Sequence, residues 1–270
     1  MDVVITEKGI LNTTEYSAEM LNSDHSVYEV IRIIDGIALF LEDHFARLTS
    51  SLQIRGFQFE MDISEFKFKI SELIKLNHRQ NGNVKFVFSL DGDEFRWVFA
   101  FIPHSYPDPE VYLLGVSTNL HFAERENPNA KVIQNMVRQG ANQMIADQEL
   151  YEVLLVDRKG MITEGSRSNV FLVKDEVFYT APASSILAGI TRLKVLECLK
   201  ELGYSITEKA VHVNEINLFD AVFLTGTSPK VLPVNAIGKQ LFNTQLTCVK
   251  KLIDYYNNKI DQYIKSEKYS

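Results

Sequence analysis

The stretch from Asp157 to Arg192, DRKGMITEGSRSNVFLVKDEVFYTAPASSILAGITR, constrains this chain more than any other. Val153 to Val156 and Val170 to Val173 are short apolar runs bounded by polar or Gly-containing turns, which predicts two buried strands. Between them, Glu164, Ser166, Ser168 and Asn169 crowd into one connection. A carboxylate at a strand end suits the nitrogen of an aromatic heterocycle, because its charge keeps that nitrogen protonated. Taken alone, the same residues also fit a solvated turn. Gly189-Ile190-Thr191 then opens an amphipathic helix with Leu193, Leu196, Leu199 and Leu202 as its apolar face, and Gly203 ends it. A helix start presents unpaired N–H groups and the positive end of the dipole, so it can hold an anion such as phosphate without a basic side chain. The Thr191 hydroxyl would add a donor; an ordinary capped helix start is the alternative.

The rest of the chain narrows the class. A length of 270 residues with 46% hydrophobic content allows one large or two modest domains with substantial cores. A formal charge of −7 without a long basic run argues against nucleic acid or an anionic membrane as partner. Cys198 and Cys248 fit buried, reduced thiols, with the cytoplasm as the default compartment. No basic n-region leads into an apolar run, and no 18 residues are uninterruptedly apolar, so neither a signal peptide nor a membrane span is expected. The sequence has no Gly-rich dinucleotide turn, GxxxxGK[ST] loop, HExxH or CxxC pattern, or G-x-S-x-G elbow. No metal site is expected.

Asp35-Gly36 joins the runs Ser26 to Ile34 and Ile37 to Leu41 as a hairpin. A helix over 44–55, capped by Asp43 and closed by Gly56, would turn Phe45, Leu48 and Leu52 inward, with His44 and Arg47 on a different face. A second helix at 62–77 and strands at 84–90, 95–102 and 111–117 complete a small N-terminal domain over 1–118. The loop-like composition of 119–130 predicts an interdomain linker, and 131–270 a larger C-terminal domain. Lys131 would open a helix, KVIQNMVRQGANQMIADQ. Further strands are expected at 205–212 and 221–226, and a closing helix capped by Thr244. By themselves Arg47, His44 and Lys131 read as surface charges, and Tyr28, Val30 and Arg32 as one side of a strand.

Five segments together carry a resemblance: YEVIRIIDGIALFLEDHFARL at 28–48, AKVIQN at 130–135, TEGSRSNVF at 163–171, LAGITR at 187–192 and GTSPKVLPV at 226–234. In this order they resemble the class IV aminotransferases, the fold-type IV pyridoxal-phosphate enzymes that include D-amino-acid and branched-chain aminotransferases and aminodeoxychorismate lyase. The resemblance implies an α+β fold of two domains, a small N-terminal α/β domain and a larger C-terminal one with a β-barrel-like core flanked by helices. It implies pyridoxal 5'-phosphate as cofactor, bound as a Schiff base to Lys131, which precedes Asn135 by four positions as the family lysine does. Arg47, Ile190, Thr191 and Thr227 would hold the phosphate and Glu164 the ring nitrogen, with Ser168 and Asn169 also at the cofactor. Tyr28, Arg32 and Ser228 would border the substrate, and His44 and Asn135 would support the site from behind. A guanidinium suits phosphate because its planar fork binds two oxygens and stays charged. A lysine used as nucleophile and base needs a setting that lowers its pKa.

The family also implies a homodimer acting on a small amino acid and a 2-oxo acid. The chain departs from the family at several positions. Leu21 to His25 replaces a glycine-rich turn, Met136 follows the asparagine where branched-chain enzymes carry tyrosine, and Pro229 removes a backbone donor. FSLDGDEFRWVFA at 88–100 lacks the arginine and histidine pair of D-amino-acid aminotransferases and the glycine-rich loop of the lyase. The reading is an aminotransferase on a small amino acid, with aminodeoxychorismate lyase, giving 4-aminobenzoate and pyruvate, as the alternative. A cofactor-binding homologue without turnover is the third reading.

Overall fold

In the computed structural model, which describes residues 2–15, 26–91, 94–126 and 128–268, the polar turn Leu21 to His25 lies outside the described residues. The chain divides into two units: Met1–Ser105 with Ala130–Ile133 and Ile260–Ser270, and Tyr106–Asn129 with Gln134–Lys259. In the first, β1 (Val3–Thr6), β2 (Gly9–Asn12), β3 (Val27–Ile34), β4 (Ile37–Ala38), β5 (Gly82–Asp91) and β6 (Glu94–Ile102) form an antiparallel sheet ordered β2-β1-β6-β5-β3-β4. Asp35 and Gly36 turn β3 into β4 with φ of 50° and 79°. That pair of positive φ values is what a two-residue hairpin turn of the expected kind requires.

Helices α1 (Leu41–Ile54) and α2 (Ile63–Leu76) pack on the side of the sheet presented by Val27, Ile31, Ile33, Phe86 and Phe99. Phe66 of α2 meets Phe86 and Phe99 edge-on at 5.1 and 4.9 Å between ring centroids. Each such buried ring contributes roughly 1.5–3 kcal/mol. The exposed Lys67–Glu267 pair, whose lysine is 57% exposed, contributes under about 1 kcal/mol, so the aromatic layer holds this unit together. The opposite face gathers Val4, Tyr28, Val87, Val98 and Ala100. Helix α2 is capped by Asp62, which accepts from the Glu65 N–H at 2.8 Å. Helix α1 starts earlier than the expected residue 44. Phe40, at φ 52°, is its N-cap, and the Leu41 N–H donates to the Tyr263 hydroxyl at 3.2 Å, so Asp43 falls inside the first turn.

The second unit contains α3 (Pro109–Leu114), β7 (Val116–Phe122), α4 (Asn135–Asp147), β8 (Glu152–Val156), β9 (Met161–Gly165), β10 (Asn169–Lys174), β11 (Val177–Thr180), α5 (Ile190–Glu201), β12 (Ile206–Glu208), β13 (Val211–His212), β14 (Ala221–Gly226), β15 (Lys230–Ile237) and β16 (Gln240–Leu241). A final helix, α6, spans Thr247–Lys268, its last residues belonging to the first unit. The ten strands form one curled, mixed sheet ordered β12-β11-β10-β14-β15-β7-β8-β9-β13, with β16 on β15. This is the α+β architecture with a barrel-like core that was expected. One face buries Val170, Leu172, Val222, Leu224, Leu232 and Val234. On the other face of β10 and β14, Phe171 stacks on Phe223 at 5.0 Å.

Several local expectations are corrected. The run expected as a strand at 111–117 splits into α3 and β7, because Pro109 at the first helical position brings a pre-set φ and needs no N–H partner. Strand β7 is then hydrogen-bonded to β8 and β15, and the chain passes between units after Ser105, at Asn129/Ala130, after Ile133 and after Lys259. Lys131 does not open a helix: α4 begins at Asn135, and Val132 makes only an isolated bridge to Val27. The strand expected at 205–212 is two short ones, β12 and β13. Leu193 is 41% exposed, and α5 buries Ile190, Val195, Leu196, Cys198 and Leu199 instead. Thr244 donates to the Leu113 carbonyl at 2.9 Å and does not cap α6. Both cysteines are free and buried. Among the described residues, no helix is long and apolar enough to cross a membrane, and no group of three His, Cys, Asp or Glu residues could hold a metal ion.

Candidate active site

In the first unit the polar centre is Glu29, a fully buried carboxylate on the helix-facing side of β3. Arg47 of α1 donates to it twice, from Nε to Oε1 at 2.8 Å and from NH2 to Oε2 at 2.7 Å, and His44 Nδ1 lies 2.8 Å from Oε2. Burial alone would raise the Glu29 pKa. The Arg47 charge and hydrogen bonds from His44 and Arg47 more than offset that and hold it down at about 2. Burial pushes the His44 pKa down, with the Arg47 and Lys131 charges acting the same way against the pull of Glu29. His44 is therefore neutral near pH 7. Since an ionised carboxylate only accepts, the His44 proton sits on Nδ1 and is donated to Glu29.

Lys131 is placed by backbone pairing. The Tyr28 N–H donates to the Lys131 carbonyl at 3.0 Å, the Ile133 N–H to the Ser26 carbonyl at 3.0 Å, and the Lys131 N–H to Ser51 Oγ at 3.1 Å. Val132 bridges Val27, so the segment adds a short strand to the free edge of β3, and Ala130 and Val132 are buried in the core beside it. The Lys131 Nζ lies 4.6 Å from the centroid of the Tyr28 ring, and the buried Lys85 of β5 places its Nζ 5.3 Å from the same ring. Arg32 lies two alternations along β3 on the Tyr28 side. Structure thus brings together Arg47 with His44, and Lys131 with Tyr28. Sequence reasoning missed Glu29 and Lys85.

In the second unit Glu164, at the end of β9, is 2% exposed. Arg125 forms an ion pair with it, Nε to Oε1 at 3.1 Å, and also donates from NH2 to the Ser166 carbonyl at 2.6 Å. The Leu187 N–H reaches Glu164 Oε2 at 3.3 Å and Asn169 Nδ2 reaches it at 3.4 Å. Asn169 donates as well to the Leu187 carbonyl at 2.8 Å, tying the strand end to the entry of α5. Ser168 is committed elsewhere: its hydroxyl donates to Glu152 at 3.1 Å, alongside Ser166 Oγ at 2.6 Å and the Arg167 N–H at 3.0 Å. Glu152 thereby shapes the 165–168 turn from beneath.

Helix α5 has Gly189 as N-cap, no side chain caps it, and Ile190 and Thr191 of its first turn are buried. A Cβ on Gly189 would lie 2.1 Å from Asn169 Oδ1, so only glycine lets the helix entry approach that side chain so closely. Thr227 and Ser228 occupy the turn joining β14 to β15, closed by the pairing of Gly226 with Lys230. Tyr112 donates to the Pro229 carbonyl of this turn at 3.0 Å. Asn135 is the first residue of α4. The buried hydroxyl of Thr225, one strand position before Gly226, has no hydrogen-bond partner among the described residues. The uncapped helix start presents N–H groups of the kind that can hold an anion. Both Arg125 and Thr225 escaped sequence reasoning.

Each unit thus carries its own polar centre: Glu29 with Arg47 and His44, and Lys131 over Tyr28, in the first; Glu164 with Arg125, and the uncapped start of α5, in the second. The family description amino-transferase class IV matches residues 26–237. The chain is 33% identical over 231 residues to a D-alanine aminotransferase of Bacillus licheniformis, covering 79% of each chain. Its fold matches the branched-chain amino acid aminotransferase of Escherichia coli with a TM-score of 0.84 at 22% identity, over 96% of this chain and 94% of that one. A putative 4-amino-4-deoxychorismate lyase of Legionella pneumophila gives a TM-score of 0.79 at 21% identity, over 87% and 91%. The chain belongs to the class IV aminotransferases, and so is a pyridoxal-phosphate-dependent enzyme.

Because the Glu29 pKa falls from 4.5 to about 2 on folding, its stabilisation is complete above pH 4.5 and is lost as pH falls toward 2. Glu29→Gln removes the counter-charge of a nearly buried guanidinium and is expected to cost about 3 kcal/mol in urea unfolding at pH 7. The acid dependence below pH 4.5 should flatten with it. An unchanged unfolding midpoint at pH 7 would show that Glu29 does not carry this role.

Proposed function

We propose that this protein is an aminotransferase that moves the amino group of a small amino acid, D-alanine being the first candidate, to a 2-oxo acid. The observation that carries the reading is Lys131: an edge-strand lysine with its Nζ held over Tyr28, at the position matching the family lysine. The 33% identity to a D-alanine aminotransferase supports the substrate class, and Met136 in place of tyrosine speaks against a branched-chain preference.

When bound, pyridoxal phosphate supplies a protonated aromatic ring that withdraws electrons from the substrate Cα. The residues of this chain divide the remaining work. Lys131 Nζ would hold the cofactor covalently and, once the substrate amine has displaced it, would be the free amine that takes the proton from the substrate Cα and delivers it to the cofactor side. Arg47, its guanidinium plane fixed by Glu29, would offer a bidentate donor to phosphate oxygens, and in the second unit the N–H groups of Ile190 and Thr191 and the Thr227 hydroxyl would offer theirs. The Glu164 carboxylate would accept from the ring nitrogen, and the ion pair with Arg125 holds it in position for that purpose. Asn169 orients Glu164 and the α5 entry, and Ser168 acts only through Glu152. Tyr28, Arg32 and Ser228 border the substrate, His44 supports Arg47 and Asn135 the lysine segment. The working form is the homodimer of the family, in the cytoplasm; sedimentation as a monomer at micromolar concentration would contradict the dimer.

The test is the near-ultraviolet and visible spectrum of cofactor-loaded protein before and after addition of D-alanine, L-leucine, L-glutamate or aminodeoxychorismate. The cofactor band is expected to convert to that of the aminated form with D-alanine, and not in Lys131→Ala. Pyruvate released from aminodeoxychorismate without such conversion would replace this reading with the lyase. No cofactor band despite added cofactor would overturn the assignment of Lys131.

A further inference from the structure

Thr225 is 1% exposed, and its Oγ1 has no hydrogen-bond partner among the described residues. Two other buried threonines of this unit are satisfied: Thr118 donates to the Ala236 carbonyl at 3.0 Å and Thr180 to the Val170 carbonyl at 2.9 Å. An unmade hydrogen bond in the interior is costly, whereas valine has the same shape without the penalty. A hydroxyl kept at such a position points to a partner that is not part of the chain.

Its surroundings identify the partner's chemistry. In the antiparallel pairing of β10 and β14, Thr225 stands directly opposite Asn169 and so shares its sheet face. The Asn169 side chain in turn touches the entry of α5, through the Leu187 carbonyl and the close approach to Gly189. Thr225 therefore belongs to the layer beneath the uncapped N-terminus of a 12-residue helix, where backbone N–H groups and the helix dipole favour an anion. Gly226 and the 227–229 turn follow it immediately. A hydroxyl donates well to phosphate oxygens and, being neutral, adds no charge for a buried ligand to balance.

We propose that Thr225 Oγ1 is a further ligand of a phosphate monoester, donating its proton to a phosphate oxygen beside the start of α5. It acts in addition to Ile190, Thr191 and Thr227, and the proposal rests on the reading of this protein as a pyridoxal-phosphate enzyme.

The test compares wild type with Thr225→Val and Thr225→Ser in cofactor-free, full-length protein, by equilibrium dialysis against pyridoxal 5'-phosphate, pyridoxal and inorganic phosphate. Thermal unfolding of the same preparations provides a second readout. The proposal expects Thr225→Val to bind pyridoxal 5'-phosphate about tenfold or more weakly. Pyridoxal should bind as to wild type, the ligand-free melting temperature should hold or rise, and Thr225→Ser should restore affinity. Weakened binding of inorganic phosphate alone would assign the hydroxyl to a free anion and overturn its role toward the monoester. Unchanged affinity of Thr225→Val for every ligand, or equal losses for pyridoxal and its phosphate, would overturn the proposal as well. If wild type itself showed no preference for the phosphorylated form, the underlying cofactor reading would fail, which is a separate result.

Discussion

The first unit depends on one buried ionised carboxylate. Glu29 is fully enclosed yet titrates at about 2, which is sustained only because Arg47 and His44 reach it from α1. Desolvating a lone carboxylate costs several kcal/mol, so the three residues stand or fall together. Their pairing fixes α1 against β3 and turns the guanidinium plane of Arg47 to a single orientation. Strand β3 also provides the edge on which Lys131 is carried, so one strand sets the position of two residues proposed for the cofactor: Arg47 through side chains and Lys131 through backbone pairing.

The second unit solves a similar problem differently. Glu164 is held by an ion pair from Arg125 and by amide groups of Asn169 and Leu187, and Glu152 is surrounded by hydroxyl and backbone donors of the 165–168 turn. These two acids occupy neighbouring strands and pin the same turn from two sides. The turn of strand into strand is therefore rigid although its residues are small and polar. Rigid positioning of this kind keeps a reacting group in productive geometry without reorganisation during the reaction.

Much of this was legible in the sequence, and the residues that were not share a physical reason. The hairpin at Asp35-Gly36, the helix after Gly189 and the strands at 153–156 and 170–173 are local features, set by turn chemistry and periodicity. Arg47 and Lys131 were singled out by resemblance, since each alone looks like an ordinary surface charge, whereas Glu164 already stood out as a carboxylate at a strand end. Glu29 was overlooked because attention to β3 followed Tyr28, Val30 and Arg32, while the alternate stripe Val27, Glu29, Ile31, Ile33 contained the anomaly: one acid among aliphatic residues. That signal was present in the sequence, but its partners lie a helix away. Lys131 appeared to open a helix because its segment has helical periodicity, whereas its conformation is decided by backbone bonds to Ser26, Tyr28 and Ser51, far away in the chain. Ser168 illustrates the same limit, a correct stretch of sequence whose hydroxyl turns to Glu152 beneath it.

In the proposed function, Glu29 holds Arg47 ready to grip a phosphate. The most direct measurement is the ratio of affinities for pyridoxal 5'-phosphate and pyridoxal in wild-type protein and in Arg47→Met. The account predicts a strong preference for the phosphorylated form in wild type, reduced about tenfold or more in Arg47→Met, with pyridoxal binding unaltered. Full retention of the preference without the guanidinium would contradict it.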